Sequence, residues 1–173
     1  MISMNVERIT SFGVRIDGMY IVANGIVLGV IYGFETNRLF RIFSTGDIIG
    51  LDKYYCNIGL IDYFGIGDFE LDNLSDDEFK EKLKDKSFCK LFSESLKELF
   101  SELSSFSKED EQIILYYNMK KLYQMSGSKR LGLPKKFVEE TGIDRVMAEL
   151  QTQGKVLLDK DVYIINRQSV TEN

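Results

Sequence analysis

The chain contains no histidine, and its two cysteines, Cys56 and Cys89, stand far apart and form no C-x-x-C unit. That removes histidine-based acid–base catalysis and the Ser-His-Asp and Cys-His arrangements. It also removes zinc or haem held by histidine, and iron–sulfur clusters, which need four thiolates. The Asp and Glu residues fall at helix starts and on solvated helix faces, with no paired-carboxylate or phosphate-loop constellation. No catalytic residue, metal ligand or cofactor is expected, and an enzyme is not the reading these residues favour. The chemistry that remains is charge. From Gly127 onward, eight basic residues (Lys129, Arg130, Lys135, Lys136, Arg145, Lys155, Lys160, Arg167) face seven acidic ones (Glu139, Glu140, Asp144, Glu149, Asp159, Asp161, Glu172). The whole chain carries −5, so this C-terminal stretch is the one part that is not acidic, the polarity expected of a phosphate-contacting end.

The 173 residues, 44% apolar and 28% charged, suit one ordinary domain or two small ones. No apolar run nears the ~20 residues needed to span a bilayer. The N-terminus lacks a basic-then-apolar signal pattern, so a cytoplasmic location without membrane contact is expected. Residues 6–17 fit one or two strands before Gly18. Asn24-Gly25 supplies the positive φ angles of a tight hairpin turn, and the β-branched run Ile26–Tyr32 follows it. Arg38–Phe43 alternates at period 2, Ser44–Asp47 makes a corner, and Ile48–Gly50 starts another short strand. Tyr54-Tyr55, Leu60-Ile61 and Tyr63-Phe64 add strand residues, with corners expected at Gly59, Gly65 and Gly67. Short strands at this spacing predict a small antiparallel barrel or jelly roll.

The pattern then changes to helices. Ser75 and Glu78 form a capping box, and the helix after them breaks near Lys86-Ser87. Phe88, Leu91, Phe92, Leu96, Leu99, Phe100, Leu103 and Phe106 follow at helical spacing along one broad face. A stripe this wide predicts packing on the barrel and on a second copy, with Phe88, Phe92, Leu96, Leu99 and Leu103 at the dimer seam. Ser107 and Asp110 cap another helix, ending at Gly127. Lys135–Thr141, stopped by Gly142, and Ile143–Gln153, stopped by Gly154, read as two short helices. Lys155–Asn166 reads as two strands around an Asp159-Lys160-Asp161 turn.

The phrases Y-I-V-x-N-G (Tyr20–Gly25) and T-G-D-I-I-G (Thr45–Gly50) resemble the β-roll of the cyclic-nucleotide-binding superfamily. F-V-E-E-T-G-I (Phe137–Ile143) and V-M-A-E-L-Q-T-Q-G-K-V (Val146–Val156) resemble the winged helix-turn-helix of the Crp/Fnr transcription regulators. Together, and in this order, they cover nearly the whole chain. The resemblance implies an α+β fold: an antiparallel, jelly-roll-like β-roll effector domain over 1–86, a dimerisation helix over 87–106, and a winged helix-turn-helix over 107–173. It implies a homodimeric regulator of double-stranded DNA, with Lys135, Lys136, Arg145 and Lys160 contacting phosphate or base edges. Each of these four also fits a plain solvated surface charge. An effector pocket would lie around Gly46, Asp47, Gly50, Asp52 and Tyr63, although Tyr63 suits the core better than a ligand.

The chain departs from the family's pattern in two ways. No arginine stands between Arg41 and Arg130, so the phosphate cassette lacks its bidentate cation and the β-roll is not expected to bind cAMP or cGMP. The effector is unknown, or there is none. Gly142 and Leu150 are eight residues apart where family members have about a dozen, so the recognition helix is shortened at the end that enters the major groove. That shortening keeps a second reading open, a non-enzymatic protein-binding adaptor on the same scaffold.

Overall fold

The computed structural model describes residues 5–9, 18–32, 37–52, 60–106, 111–125 and 131–170. β-branched and aromatic runs form an antiparallel sheet from β1 (Val6–Arg8), β2 (Met19–Tyr32), β3 (Asn37–Ser44), β4 (Ile48–Ile49) and β5 (Ile61–Leu74). Its order is β1-β5-β2-β3, and β4 pairs with the start of β2. The helices are α1 (Asp76–Lys82), α2 (Lys86–Phe106), α3 (Glu111–Met125), α4 (Lys135–Thr141) and α5 (Asp144–Thr152). A second small sheet comprises β6 (Leu133–Pro134), β7 (Val156–Asp159) and β8 (Val162–Ile165), ahead of a 3-10 turn at Arg167–Val170. The architecture is α+β, as expected. None of the described helices is long and apolar enough to cross a membrane.

Three expected corners are not corners. Asn24-Gly25 lies inside β2, which runs on through it while its register against β5 slips at Val22/Asn24 and Asn24/Ile26. Gly25 has φ +90°, and a Cβ there would stand 2.6 Å from the Asp68 carbonyl oxygen. The dipeptide therefore makes a bulge that bends a long strand. Bulges and tight turns call for the same residue types, and the 14-residue partner β5 decides between them. Gly65 and Gly67 likewise fall within β5.

The sheet is buried on both faces. On one, Val27, Phe40, Phe43, Ile48, Ile61 and Tyr63 pack with Phe79 of α1 and Leu99 of α2. Ser75 caps α1 through the expected reciprocal box, accepting from the Glu78 N–H while the Glu78 carboxylate accepts from Ser75. The break before α2 is fixed by Asp85, whose carboxylate accepts the N–H groups of Ser87 and Phe88 at 2.7 and 3.0 Å. On the other face, Leu28, Val30, Leu39, Ile42, Phe64 and Ile66 share a core with α3 and with Leu133, Phe137, Val138, Met147, Leu150 and Ile165. The first core joins the sheet to α1 and α2, and the second joins it to everything from α3 onward.

Polar contacts tie that second face together. Asn118 of α3 donates to the Leu39 carbonyl at 3.0 Å, and Asn37 of β3 donates to the Thr141 carbonyl at 2.8 Å. Arg8 of β1 lies 3.8 Å from the buried Asp62 of β5 and 3.6 Å from Glu140 of α4. Burial and Asp62 beside it push the Tyr32 phenol up to about 12.

Candidate nucleic-acid interface and effector position

The C-terminal unit is built by local rules legible in its residues. Pro134 holds φ −58° just ahead of α4, where no intrahelical N–H is needed. Gly142 ends α4 in the left-handed region at φ +70°, its N–H directed back to the Glu139 and Val138 carbonyls. Ile143 then tucks into the core, and α5 begins without a side-chain cap. Gly154, also left-handed, ends the following turn, and β7 and β8 close around Lys160-Asp161 with Lys160 at φ 58°. The small sheet has the order β6-β8-β7. Helix, strand, helix, turn, helix and hairpin in this arrangement are a winged helix-turn-helix.

α5 is nine residues long. It buries Val146, Met147 and Leu150, and it leaves Asp144, Arg145, Ala148, Gln151 and Thr152 exposed. Arg145 lies 3.3 Å from Glu111 of α3 and 3.8 Å from Glu149 of its own helix. Glu149 accepts from Gln112, whose side-chain oxygen accepts from Gln153 at 2.7 Å. Lys135 is 3.6 Å from Glu139, Lys136 is exposed, and Lys160 sits at the wing tip between Asp159 and Asp161. The four expected contact residues thus occupy α4, α5 and the wing, as the sequence implied. Six carboxylates share those elements (Glu139, Glu140, Asp144, Glu149, Asp159, Asp161). Sequence reasoning missed Glu111 and Gln112, because no local signal ties the first turn of α3 to α5. The Ser107–Asp110 cap lies outside the described residues.

At the effector position the expected residues separate. Asp47 and Tyr63 border a small cavity with Arg41, Phe43, Leu51 and Leu99. Gly46 and Gly50 are backbone corners at φ +93° and +83°. Asp52 is buried and turned inward: its carboxylate accepts from the Leu60 and Ile61 N–H groups at 2.6 and 3.1 Å and from the Tyr63 hydroxyl at 3.1 Å. Burial nevertheless pushes the Asp52 carboxyl up, and it pushes the Tyr63 phenol well up too. Asp52 therefore ties itself to the start of β5 instead of offering a ligand group. The cavity measures about 10 Å³, room for roughly one water. Its cation, Arg41, lies 2.9 Å from Glu98 of α2, 3.9 Å from Asp47 and 5.0 Å from the centre of the Phe43 ring. Sequence reasoning passed over Arg41, which stands outside the expected cassette. Lys53 and the rest of 53–59 lie outside the described residues.

Along α2 the structure divides the apolar stripe. Leu99 is 4% exposed, and Phe88, Phe92 and Leu96 pack half-buried on the same core. Leu91 at 39% and Phe100 at 44% flank that line and face outward. Four of the five expected seam residues thus serve the chain's own core first; the fifth, Leu103, has its side chain outside the described residues.

No family model matches the sequence, and no curated protein does. Solved structures do. A CRP-family transcriptional regulator from Thermus thermophilus is similar at TM-score 0.59 and 11% identity, over 95% of this chain and 90% of that one. The c-di-GMP responsive global regulator CLP from Xanthomonas campestris gives 0.58 and 12%, over 94% and 93%. FixK2 from Bradyrhizobium japonicum gives 0.57 and 13%, over 98% and 96%. The shared property is the fold, and it extends over nearly the full length of each chain.

Proposed function

We propose that this chain, which has the fold of the Crp/Fnr regulators, is a homodimeric transcription regulator. It would bind duplex DNA through its winged helix-turn-helix and take no cyclic nucleotide. The observation that carries this reading is the β6-β8-β7 winged sheet with its α4–Gly142–α5 turn, joined in one chain to the β-roll and its long helix. Lys135, Lys136, Arg145 and Lys160 are the phosphate-contacting side chains, and dimerisation uses the outward flank of α2 around Leu91 and Phe100. A cavity at the effector position with room for about one water supports a β-roll packed by its own side chains. Gel-shift selection from genomic fragments tests this proposal: recovery of a common sequence at moderate salt supports it.

One observation favours a second reading. Six carboxylates against five cations (Lys135, Lys136, Arg145, Lys155, Lys160) on α4, α5 and the wing hairpin leave those elements at a net −1, which does not attract phosphate. A protein-binding adaptor on the same scaffold would have such a surface. Failure of every fragment to shift, at any salt, selects it.

A further inference from the structure

β7 is the outer strand of the winged sheet, and no described strand lies beyond it. The Asn166 N–H donates to the Lys155 carbonyl at 2.9 Å, which fixes the phase of the ladder. Leu157 and Asp159 direct their backbone groups to Ile164 and Val162 of β8. The N–H and C=O of Val156 and Leu158 therefore point away from the sheet. Side chains alternate across it: Val156 and Ile165 are buried in the core, while Leu157, opposite Ile164, stands on the outer face. Leu157 is 46% exposed and Leu158 38%. Proteins commonly blunt an open apolar edge with lysine or proline. β7 reads Val-Leu-Leu-Asp and has neither.

This edge is complementary to itself. Laid antiparallel on a second copy about a twofold axis at Leu157, it sets Val156 opposite the other copy's Leu158, and the reverse. Those are the residues whose backbone groups point outward, so both pairs can hydrogen-bond. Leu157 then faces its own counterpart in the non-hydrogen-bonded position, where side chains stand closest. Lys155 falls opposite Asp159 of the other copy, on the same face as Leu157, and symmetry repeats that contact. Within one copy the Lys155 ammonium lies over the Tyr116 ring of α3, 5.4 Å from its centre, and it exchanges that contact for the other copy's Asp159. A slip of one residue would set Lys155 opposite Lys160 and put the outward groups out of phase. Charge and hydrogen-bond phase select the same register.

We propose that β7 is a self-association edge through which the winged sheets of two copies join into one continuous sheet. The contact is separate from the α2 flank and does not depend on DNA binding. A four-residue edge buries less than the ~1,200 Å² of a stable interface, so the association is weak and concentration-dependent.

Cysteine cross-linking tests it, in a chain whose Cys56 and Cys89 are replaced by Ser. Leu157→Cys places two thiols on Cα atoms ~4.5 Å apart, within disulfide reach. Under mild oxidation it should cross-link about tenfold faster than Asp161→Cys at the wing tip, because pairing raises the local thiol concentration. Adding Asp159→Lys should reduce it to the control rate, and the exchange Lys155→Asp with Asp159→Lys should restore it. Equal rates for Leu157→Cys and Asp161→Cys overturn the proposal, as does cross-linking that ignores Asp159→Lys. If Leu157→Cys does not fold, sedimentation of Asp159→Lys and of the charge exchange, without the cysteine, makes the same distinction.

Discussion

Glu111 and Arg145 lie 3.3 Å apart, joining the first turn of α3 to the first turn of the helix that would enter a DNA groove. Glu111 also lies 3.4 Å from Arg38 of β3, so one carboxylate links the β-roll to α5. An arginine held by Glu111 and Glu149 must exchange carboxylates for phosphate before it contacts DNA.

Replacing Glu111 with Gln removes one of those competitors. The variant should bind duplex DNA roughly two- to fivefold tighter, the equivalent of a partly exposed ion pair. Its unfolding free energy should fall by about 1 kcal/mol or less. Anisotropy titration and urea unfolding measure the two effects, and weaker DNA binding would contradict this use of Arg145.

The division of the α2 stripe predicts two outcomes from similar substitutions. Leu91→Glu with Phe100→Glu should give folded monomers in sedimentation velocity. Leu99→Glu should instead destabilise the fold by about 3 kcal/mol or more, since it places a charge in the core. A folded Leu99→Glu monomer would put the seam back on the inner line.

Burial raises the Asp52 carboxyl above its usual range against hydrogen bonds that pull it down. The folded state thus holds this proton more tightly than the unfolded state, whose carboxyl titrates near ~3.9. The stabilisation from neutral Asp52 is complete below that value and is lost as pH rises through the folded-state pKa. Asp52→Asn should flatten this slope, so the stability of wild type relative to the variant should fall with rising pH across that window. Urea titrations at successive pH values measure it; an opposite trend would mean that the hydrogen bonds outweigh burial.

A cavity narrowed by Phe43, Leu51, Tyr63 and Leu99 to about one water's volume should give no saturable heat with millimolar cAMP or cGMP. Calorimetry showing micromolar binding would mean that this cavity opens, or that 53–59 supplies a cation. Leu99→Ala should cost about 2–5 kcal/mol of stability.

Elements whose residues choose a structure locally were legible in the sequence. The Ser75 box, the Gly142 and Gly154 stops, the hairpin around Lys160 and the helical stripe of α2 all stand where spacing put them. The misreadings share one physical cause. Asn24-Gly25 and the glycines of β5 satisfy turn and bulge equally, and only pairing with a strand some forty residues away selects the bulge. Phe88, Phe92, Leu96 and Leu99, by contrast, were legible as an apolar line that packs on the sheet, as it does; spacing is silent on a second copy. Arg41–Glu98 and Glu111–Arg145 are long-range pairs, invisible to any local pattern.

The central claim is that the winged helix binds duplex DNA through phosphate contacts, and its salt dependence is the most direct measurement. Fluorescence anisotropy of the wild type on a labelled duplex should show binding at low salt. A log–log slope approaching about −7 is expected if four cations from each of two protomers engage, at ~0.9 per contact. Lys136→Ala should weaken every duplex alike and flatten the slope by about one unit per lost contact. No binding to any duplex at the lowest salt, or a slope that Lys136→Ala leaves unchanged, would contradict the account.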